Sequence, residues 1–153
     1  QADAPLHLYN NPSNVFVAGF LGSPQMNLVT GTLHKSGDSV TFRESRKGSI
    51  ELNLGARHSL ASHIGKDVTL GVRPEDCEPV FDNSADAAKT FRAVVELVEP
   101  LGSETYLYIT TGEHSLISRT HAALDQSHVG RRLAFAVNCE KVHLFDSVTG
   151  LRL

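Results

Sequence analysis

Gly65-Lys66-Asp67-Val68-Thr69-Leu70-Gly71-Val72 opens on a glycine and then sets an apolar side chain at every second position, Val68, Leu70 and Val72. Successive side chains of an extended chain point to opposite faces, so this spacing predicts a strand with one buried face. At an offset of 65 residues, Gly130-Arg131-Arg132-Leu133-Ala134-Phe135-Ala136-Val137 shows the same arrangement, and Glu140 stands where Glu75 stood. The echo is either an internal structural repeat or the likeness that any two amphipathic strands after a glycine share. The period of two extends to Val40 and Phe42, to Ile50, Leu52 and Leu54, to Phe91, Ala93, Val95 and Leu97, and to Leu107 and Ile109. Gly and polar clusters separate these runs at Gly31, Lys35 to Asp38, Lys47-Gly48, Gly55 and Thr111 to Glu113, as tight turns require. The body is therefore all-β from Met26 onward.

Ahead of it, Pro12-Ser13-Asn14 is a helix start signal, and Val15 to Leu21 is apolar on more than one side before Gly22 and Pro24 close it. This predicts one short, well-buried helix. Asp82 to Thr90, made of small and charged side chains, is composed like a surface connection and divides the β region into 26–81 and 91–153. Short strands in this number hide apolar faces and edges most readily in small barrels, of which the oligomer-binding fold is a common case, so two similar half-barrels packed together are the expected architecture. An immunoglobulin-like sandwich is the alternative, disfavoured by the absence of Trp and of a paired Cys framework.

A chain of 153 residues can bury about 70% of its unfolded surface without staples. Its longest apolar stretch, Val15 to Leu21, is far too short to cross a bilayer, which takes about 20 residues. Beginning at Gln1 rather than Met, the chain reads as a fragment or a processed product, with a removed signal peptide left open. The net charge of −3 disfavours nucleic acid, whose backbone is held by clustered cations. Arg43 to Lys47, the densest basic stretch, is interrupted by Glu44 and reads as the solvated end of a hairpin. Cys77 and Cys139 make no Cys-x-x-Cys pattern, and a reducing cytosol is their simpler setting.

Catalytic motifs are not found. Gly65-Lys66, the only Gly-Lys pair, has Leu60 and Asp67 where a phosphate loop needs a glycine and a hydroxyl, so ATP hydrolysis has no seat here. No G-x-S-x-G elbow and no H-E-x-x-H helix occurs. His114, His121 and His128 recur at intervals of seven, which does not gather imidazoles as zinc requires, and they read as surface or turn residues. Glu75-Asp76 after Arg73-Pro74 has the composition of acid–base carboxylates, but Pro74 stops a strand and the acids are expected to face water.

Longer strings carry more. P-L-H-L-Y-N-N-P-S-N-V-F-V-A-G-F-L-G-S-P-Q-M-N (Pro5 to Asn27), L-G-V-R-P-E (Leu70 to Glu75), V-E-P-L-G-S-E-T (Val98 to Thr105) and H-L-F-D-x-x-T-G (His143 to Gly150) occur in order along the chain. Together they resemble the C-terminal landmarks of ATPase subunits of maltose and glycerol-phosphate type ABC importers, although Asp76 stands where the family usually has His. The resemblance implies an oligomer-binding-like regulatory domain of the type called TOBE over 26–153, with 1–25 as the helical connection from an ATPase domain. It implies a regulatory and homodimerisation role in sugar, polyol or glycerol-phosphate import, in the cytoplasm at the inner face of the membrane. No cofactor is expected in this fragment, whereas ATP and magnesium belong to the parent subunit. Expected partners are a second copy, the ATPase domain, the membrane subunits indirectly, and a regulatory protein or small ligand.

The partner surface is expected at Gly102, Ser103, Glu104, Tyr106, His143, Phe145 and Asp146, because these segments match family landmarks and read as turns. Tyr106 and Tyr108 face away from Leu107 and Ile109, so their strand is apolar on both sides; they cover either a partner, the barrel's own end or the helix. The alternative function is a sensor or store for a small ligand or oxyanion, as in relatives whose barrels bind oxyanions between subunits. It would use Gly102-Ser103 or Lys35-Ser36-Gly37 as its loops.

Overall fold

The computed structural model describes residues 3–153. Two five-stranded antiparallel sheets make the body. Strands β1 (Asn27–Ser36), β2 (Ser39–Glu44), β3 (Glu51–Asn53) and β4 (Asp67–Val72) build most of the first, and β5 (Cys77–Val80), β6 (Thr90–Pro100), β7 (Thr105–Thr110), β8 (Ser115–Thr120) and β9 (Arg132–Val137) the second. The last strand, β10 (His143–Asp146), returns to the first sheet, so the orders are β10-β4-β1-β2-β3 and β5-β9-β6-β7-β8. Both sheets curl into half-barrels. In the second, β8 comes round towards β5 until the Ser118 hydroxyl donates to the Cys77 carbonyl at 2.5 Å.

The two echoing segments are β4 and β9. Each follows a short 3-10 turn and a glycine in the left-handed region, Gly65 at φ 80° and Gly130 at φ 84°, a conformation that a side chain would strain. Gly65 N–H donates to the Leu33 carbonyl and Gly130 N–H to the Val95 carbonyl, each at 2.7 Å. The strand after each then leaves for the opposite sheet: β5, following β4, pairs with β9, and β10, following β9, pairs with β4. The sheets are thus not the two halves of the chain, because each half lends its last strand to the other.

Inner faces of both sheets meet in one core, in which Val29, Leu33, Phe42, Leu52, Val68 and Leu70 share a cluster with Val95, Val98, Leu107, Ile109 and Phe135. A smaller cluster, Ala18, Met26 and Phe145, lies under the helical segment. Gly71 makes room for it, since a Cβ there would come within 2.4 Å of the Met26 sulfur.

Several expectations are corrected. In place of one well-buried helix there are two of one to two turns, α1 (Pro5–Asn10) and α2 (Val15–Phe20). Pro5 starts the first, and the Asn14 side chain caps the second by accepting from Val17 N–H at 2.9 Å. Only Ala18 of α2 is buried, whereas Phe16 and Phe20 are 76% and 69% exposed. Leu97 does not continue the buried face of Val95: the pairing with β7 shifts between Val95 and Leu97, Glu96 is the extra residue of a bulge, and Val98 turns inward instead. His143 to Asp146 is not a turn but the edge of the first sheet, and Phe145 is fully buried there.

A core shared between sheets predicts joint unfolding. Phe135→Ala is expected to cost about 3–5 kcal/mol, and urea titrations followed by far-ultraviolet circular dichroism and by tyrosine fluorescence should shift together in one transition; separate midpoints would show sheets that melt independently.

Candidate functional site

Where the chain crosses from one sheet to the other it makes two short passages, Arg73 to Asp76 between β4 and β5, and Asn138 to Val142 between β9 and β10. They lie side by side, Asn138 N–H donating to the Asp76 carbonyl at 3.0 Å. The helical segment comes down on them. The result is a cleft of about 350 Å³ whose walls include Tyr9, Arg73, Glu75, Lys141, His143 and Arg152.

Arg73 is the centre of this arrangement. It is only 3% exposed, yet its side chain carries a full charge. One terminal N–H donates to the Leu21 carbonyl at 2.6 Å and to that of Ala18 at 3.5 Å, and the other terminal nitrogen donates to the Tyr9 carbonyl at 2.9 Å. Those carbonyls sit at the C-terminal ends of α2 and α1, where the backbone lacks donors and favours a cation. The guanidinium also stacks 3.8 Å from the centre of the Tyr9 ring. Tyr9 in turn donates its hydroxyl to Glu75. Two reciprocal contacts therefore bolt the helices to the crossing. Glu75 and Asp76 do not simply face water as expected: Glu75 is held by Tyr9, and Asp76 sits 4.0 Å from Lys141 with its side chain mostly buried.

Burial acts on these groups as physical chemistry requires. Desolvation, then the hydrogen bond to Glu75, pushes Tyr9 up to about 12. Desolvation raises Asp76, and it lowers Arg73. His143 falls to about 4, first through burial and then through the positive charges of Arg152, Arg73 and Arg57. Two buried polar atoms at this cleft have no hydrogen-bond partner, Arg73 Nε and His143 Nδ1.

The expected partner surface divides. Gly102 and Ser103 are exposed at the tip of the β6–β7 hairpin, and Glu104 just behind them pairs with Arg119 of the same chain at 3.4 Å. Tyr106 and Tyr108 lie half-buried on the outer face, Tyr108 opposite Leu97 and Ile117, and Tyr106 opposite Glu99 and Arg119. From the other segment His143 lines the cleft, Phe145 is sealed in the small cluster and so presents no surface, and Asp146 accepts the N–H groups of Val148 and Thr149 to fold its own turn. No direct contact joins the two segments among the described interactions, but Arg119 is near enough to act electrostatically on Tyr9 and Asp76.

Sequence reasoning missed a second bolt. Glu44, expected in a solvated hairpin end, is buried, and its carboxylate accepts from Ile50 N–H at 2.9 Å, Thr111 hydroxyl at 2.5 Å and His114 Nδ1 at 2.6 Å. Thr30 N–H donates to His114 Nε2 at 3.2 Å, so that nitrogen carries no hydrogen and the proton stands on Nδ1, facing Glu44. The β7–β8 hairpin is thereby tied to the first sheet. Asn27 ties it again, its side-chain amide exchanging both hydrogen bonds with the backbone of Ile117 at 2.9 and 2.8 Å. The signal in the sequence was Glu44 standing two residues beyond Phe42, on the inward face of β2.

Among known families, the MalK OB fold domain matches residues 22–77 and the TOBE domain residues 70–145. Over its whole length the chain is 35% identical to the ABC transporter ATP-binding protein YcjV of Escherichia coli O157:H7, covering 40% of that protein. It is 35% identical over 148 residues to the alpha-glucoside transport ATP-binding protein AglK of Rhizobium meliloti, covering 96% of this chain and 39% of that one. With the sn-glycerol-3-phosphate import ATP-binding protein UgpC of Cupriavidus metallidurans it shares 32% identity, covering 100% of this chain and 41% of that one. It thus spans about two fifths of the curated relatives that it matches. In three dimensions it resembles the cytoplasmic molybdate-binding protein ModG in a molybdate-bound form, with a TM-score of 0.55 over 77% of this chain and 94% of that one; at 14% identity the likeness is one of fold.

Arg73→Met keeps much of the side chain's bulk and removes three carbonyl contacts, each charge-assisted bond being worth about 1.5–3 kcal/mol. Limited proteolysis of this variant is expected to cut between Tyr9 and Gly22 while the β body stays resistant; unchanged resistance of the helices would refute the bolt. Tyr9 favours its neutral form in the fold, so its contribution is complete below about pH 10 and is lost as pH rises through about 12. Tyr9→Phe should therefore flatten the alkaline part of the stability profile.

Proposed function

Because the chain belongs to the MalK OB fold and TOBE domain families, a non-catalytic part of ABC transporter ATP-binding proteins, we propose that it is the regulatory and homodimerisation module of such a subunit, serving import of a sugar, polyol or glycerol-phosphate-like solute. The module works in the cytoplasm against the inner face of the membrane, attached to an ATP-binding portion and touching the membrane subunits only through it. Among the described residues no helix is long and apolar enough to cross a membrane.

The observation that carries this reading is an apolar surface left over after the chain has satisfied its own core. Phe16 and Phe20 stack on each other at 6.0 Å along the outside of α2, with Leu6 also exposed on α1 and Leu151 in the segment that pairs with Asn14. So short a helix has little stability of its own, and Arg73 holds it with aromatic rings pointing outward. A rigidly mounted apolar face of this kind suits attachment to the ATP-binding portion. On the second sheet the Glu96 bulge turns Leu97 outward beside Tyr108, with Leu101 exposed nearby on the hairpin, and this second apolar face suits a copy of the same module across a two-fold axis. ATP and magnesium are the business of the ATP-binding portion.

Sedimentation of the chain over a range of concentrations is expected to show a reversible dimer, weakened about tenfold or more by Leu97→Arg, since a charge would enter a desolvated contact. Ser103 is exposed at the tip of the same hairpin, and Ser103→Ala should dimerise like the parent. A parent that stays monomeric throughout, or a Leu97→Arg variant that dimerises equally well, would overturn this placement of the interface.

A further inference from the structure

The cleft at the two crossings has features that the bolt does not use. Arg73 spends its terminal nitrogens on three backbone carbonyls, but its Nε–H is buried and unpaired. A buried donor left without an acceptor costs about 1–3 kcal/mol, more when it is charged, so such groups ordinarily have something to meet. His143 Nδ1, also buried and unpaired, lines the same cleft. Arg152 closes the side of it with one weak contact, 3.3 Å to the Asn11 side chain, which leaves most of its guanidinium donors uncommitted.

The charges are not spread evenly. Glu75, Asp76 and Lys141 also line a neighbouring hollow with Glu78 and Asn138, whereas Arg73, His143, Arg152 and the exposed Glu140 line only the first. The two acids of that shared side are committed, Glu75 to the Tyr9 hydroxyl and Asp76 towards Lys141. At His143 every charge that acts is positive, those of Arg152, Arg73 and Arg57. One end of the cleft is therefore rich in unmet donors, and the charges that act on His143 there are those of arginines.

We infer that the His143 end of this cleft binds a small oxyanion, a phosphate group or a carboxylate, which accepts from the Nε–H of Arg73 and from the guanidinium of Arg152 and meets the Nδ1 of His143. Neither Gly102-Ser103 nor Lys35-Ser36-Gly37 takes part, and the site stands whether or not the chain dimerises. Its ligand would sit against both crossings and the bolt at once.

An anion there also changes the titration of His143. Alone, the imidazole is kept neutral by burial and by the three arginines; a bound anion offsets those charges and gives a protonated Nδ1 an acceptor. Binding then draws in a proton, and by linkage affinity rises as pH falls. Glu140, which is exposed, and Tyr9, Glu75, Asp76 and Lys141 are the other charged or titrating groups of the cleft, and all remain in the variants below.

Isothermal titration calorimetry of the chain with sulfate, at constant ionic strength set with chloride, tests this. Sulfate stays fully ionised over the range, so any pH dependence belongs to the protein. Millimolar binding is expected, tightening between about pH 7.5 and 5.5 with proton uptake visible in buffers of different ionisation heat. His143→Gln should remove the pH dependence and keep the fold, and Arg152→Gln should weaken binding about three- to fivefold. Inorganic phosphate and acetate, run in parallel, decide whether tetrahedral or planar oxygens fit. Sulfate heats no greater than those of chloride, or equal binding by parent and both variants, would mean an adventitious ion only and would overturn the proposal.

Discussion

Neither sheet can be completed by the half of the chain that begins it. β4 needs β10 on its open side and β9 needs β5, so each half must give its last strand to the other before either ladder is full. An unpaired edge exposes backbone donors and acceptors, and a sheet with one face uncovered exposes its apolar residues as well; the exchange settles both together. It is also why one core serves both sheets: Leu144 arrives on β10 and Cys77 on β5, and both join the same cluster as Phe42 and Phe135. The buried arginine, the anchorage of the helical segment and the cleft all sit at or beside the two crossings that the exchange demands.

The crossings are where polar chemistry collects. Strands feed them from both sheets, so the side chains that follow β4 and β9 converge while their backbones turn, and Arg73 is drawn into an interior that could not otherwise hold a charge. Its cost is offset by three carbonyls and an aromatic face, all from the helical segment. The helices thus depend on the exchange indirectly. Gly150 and Arg152 add to the same dependence, the Gly150 carbonyl accepting from Val15 N–H at 2.8 Å and Arg152 N–H donating to the Ser13 carbonyl at 3.0 Å.

Much of the body was legible in the sequence because alternation is a local signal. Val68, Leu70 and Val72, and Leu133, Phe135 and Val137, all point into the core as their spacing implied. What escaped was set by distant partners. β8 carries Ser118 and Thr120 at buried positions, so its inward face does not read as apolar. Leu97 kept the period of two in the sequence, but a bulge is an event of pairing and leaves no mark on hydropathy. β10 is four residues between a turn and a turn, identified as a strand only by β4 waiting beside it. At the candidate site, His143 was singled out for a partner surface and lies instead along the cleft, while Arg73, its more consequential neighbour, was passed over within a familiar string. Buried arginines and glutamates, such as Arg73 and Glu44, contradict composition and are visible only once their acceptors and donors are in place.

The exchange of end strands also fixes an order of events during synthesis. A nascent chain emerges from its N-terminus, and domains whose contacts are local can settle as they appear. Here the first sheet is begun by Asn27 but lacks its outer strand until His143 to Asp146 have been made, and the helical segment waits still longer for Gly150 to Arg152. Until that strand has been made, β4 keeps an open edge and Phe145, the plug of the small cluster, does not yet exist. The first sheet therefore closes only after the second has been made, and a chain interrupted before His143 would be left with an open strand edge.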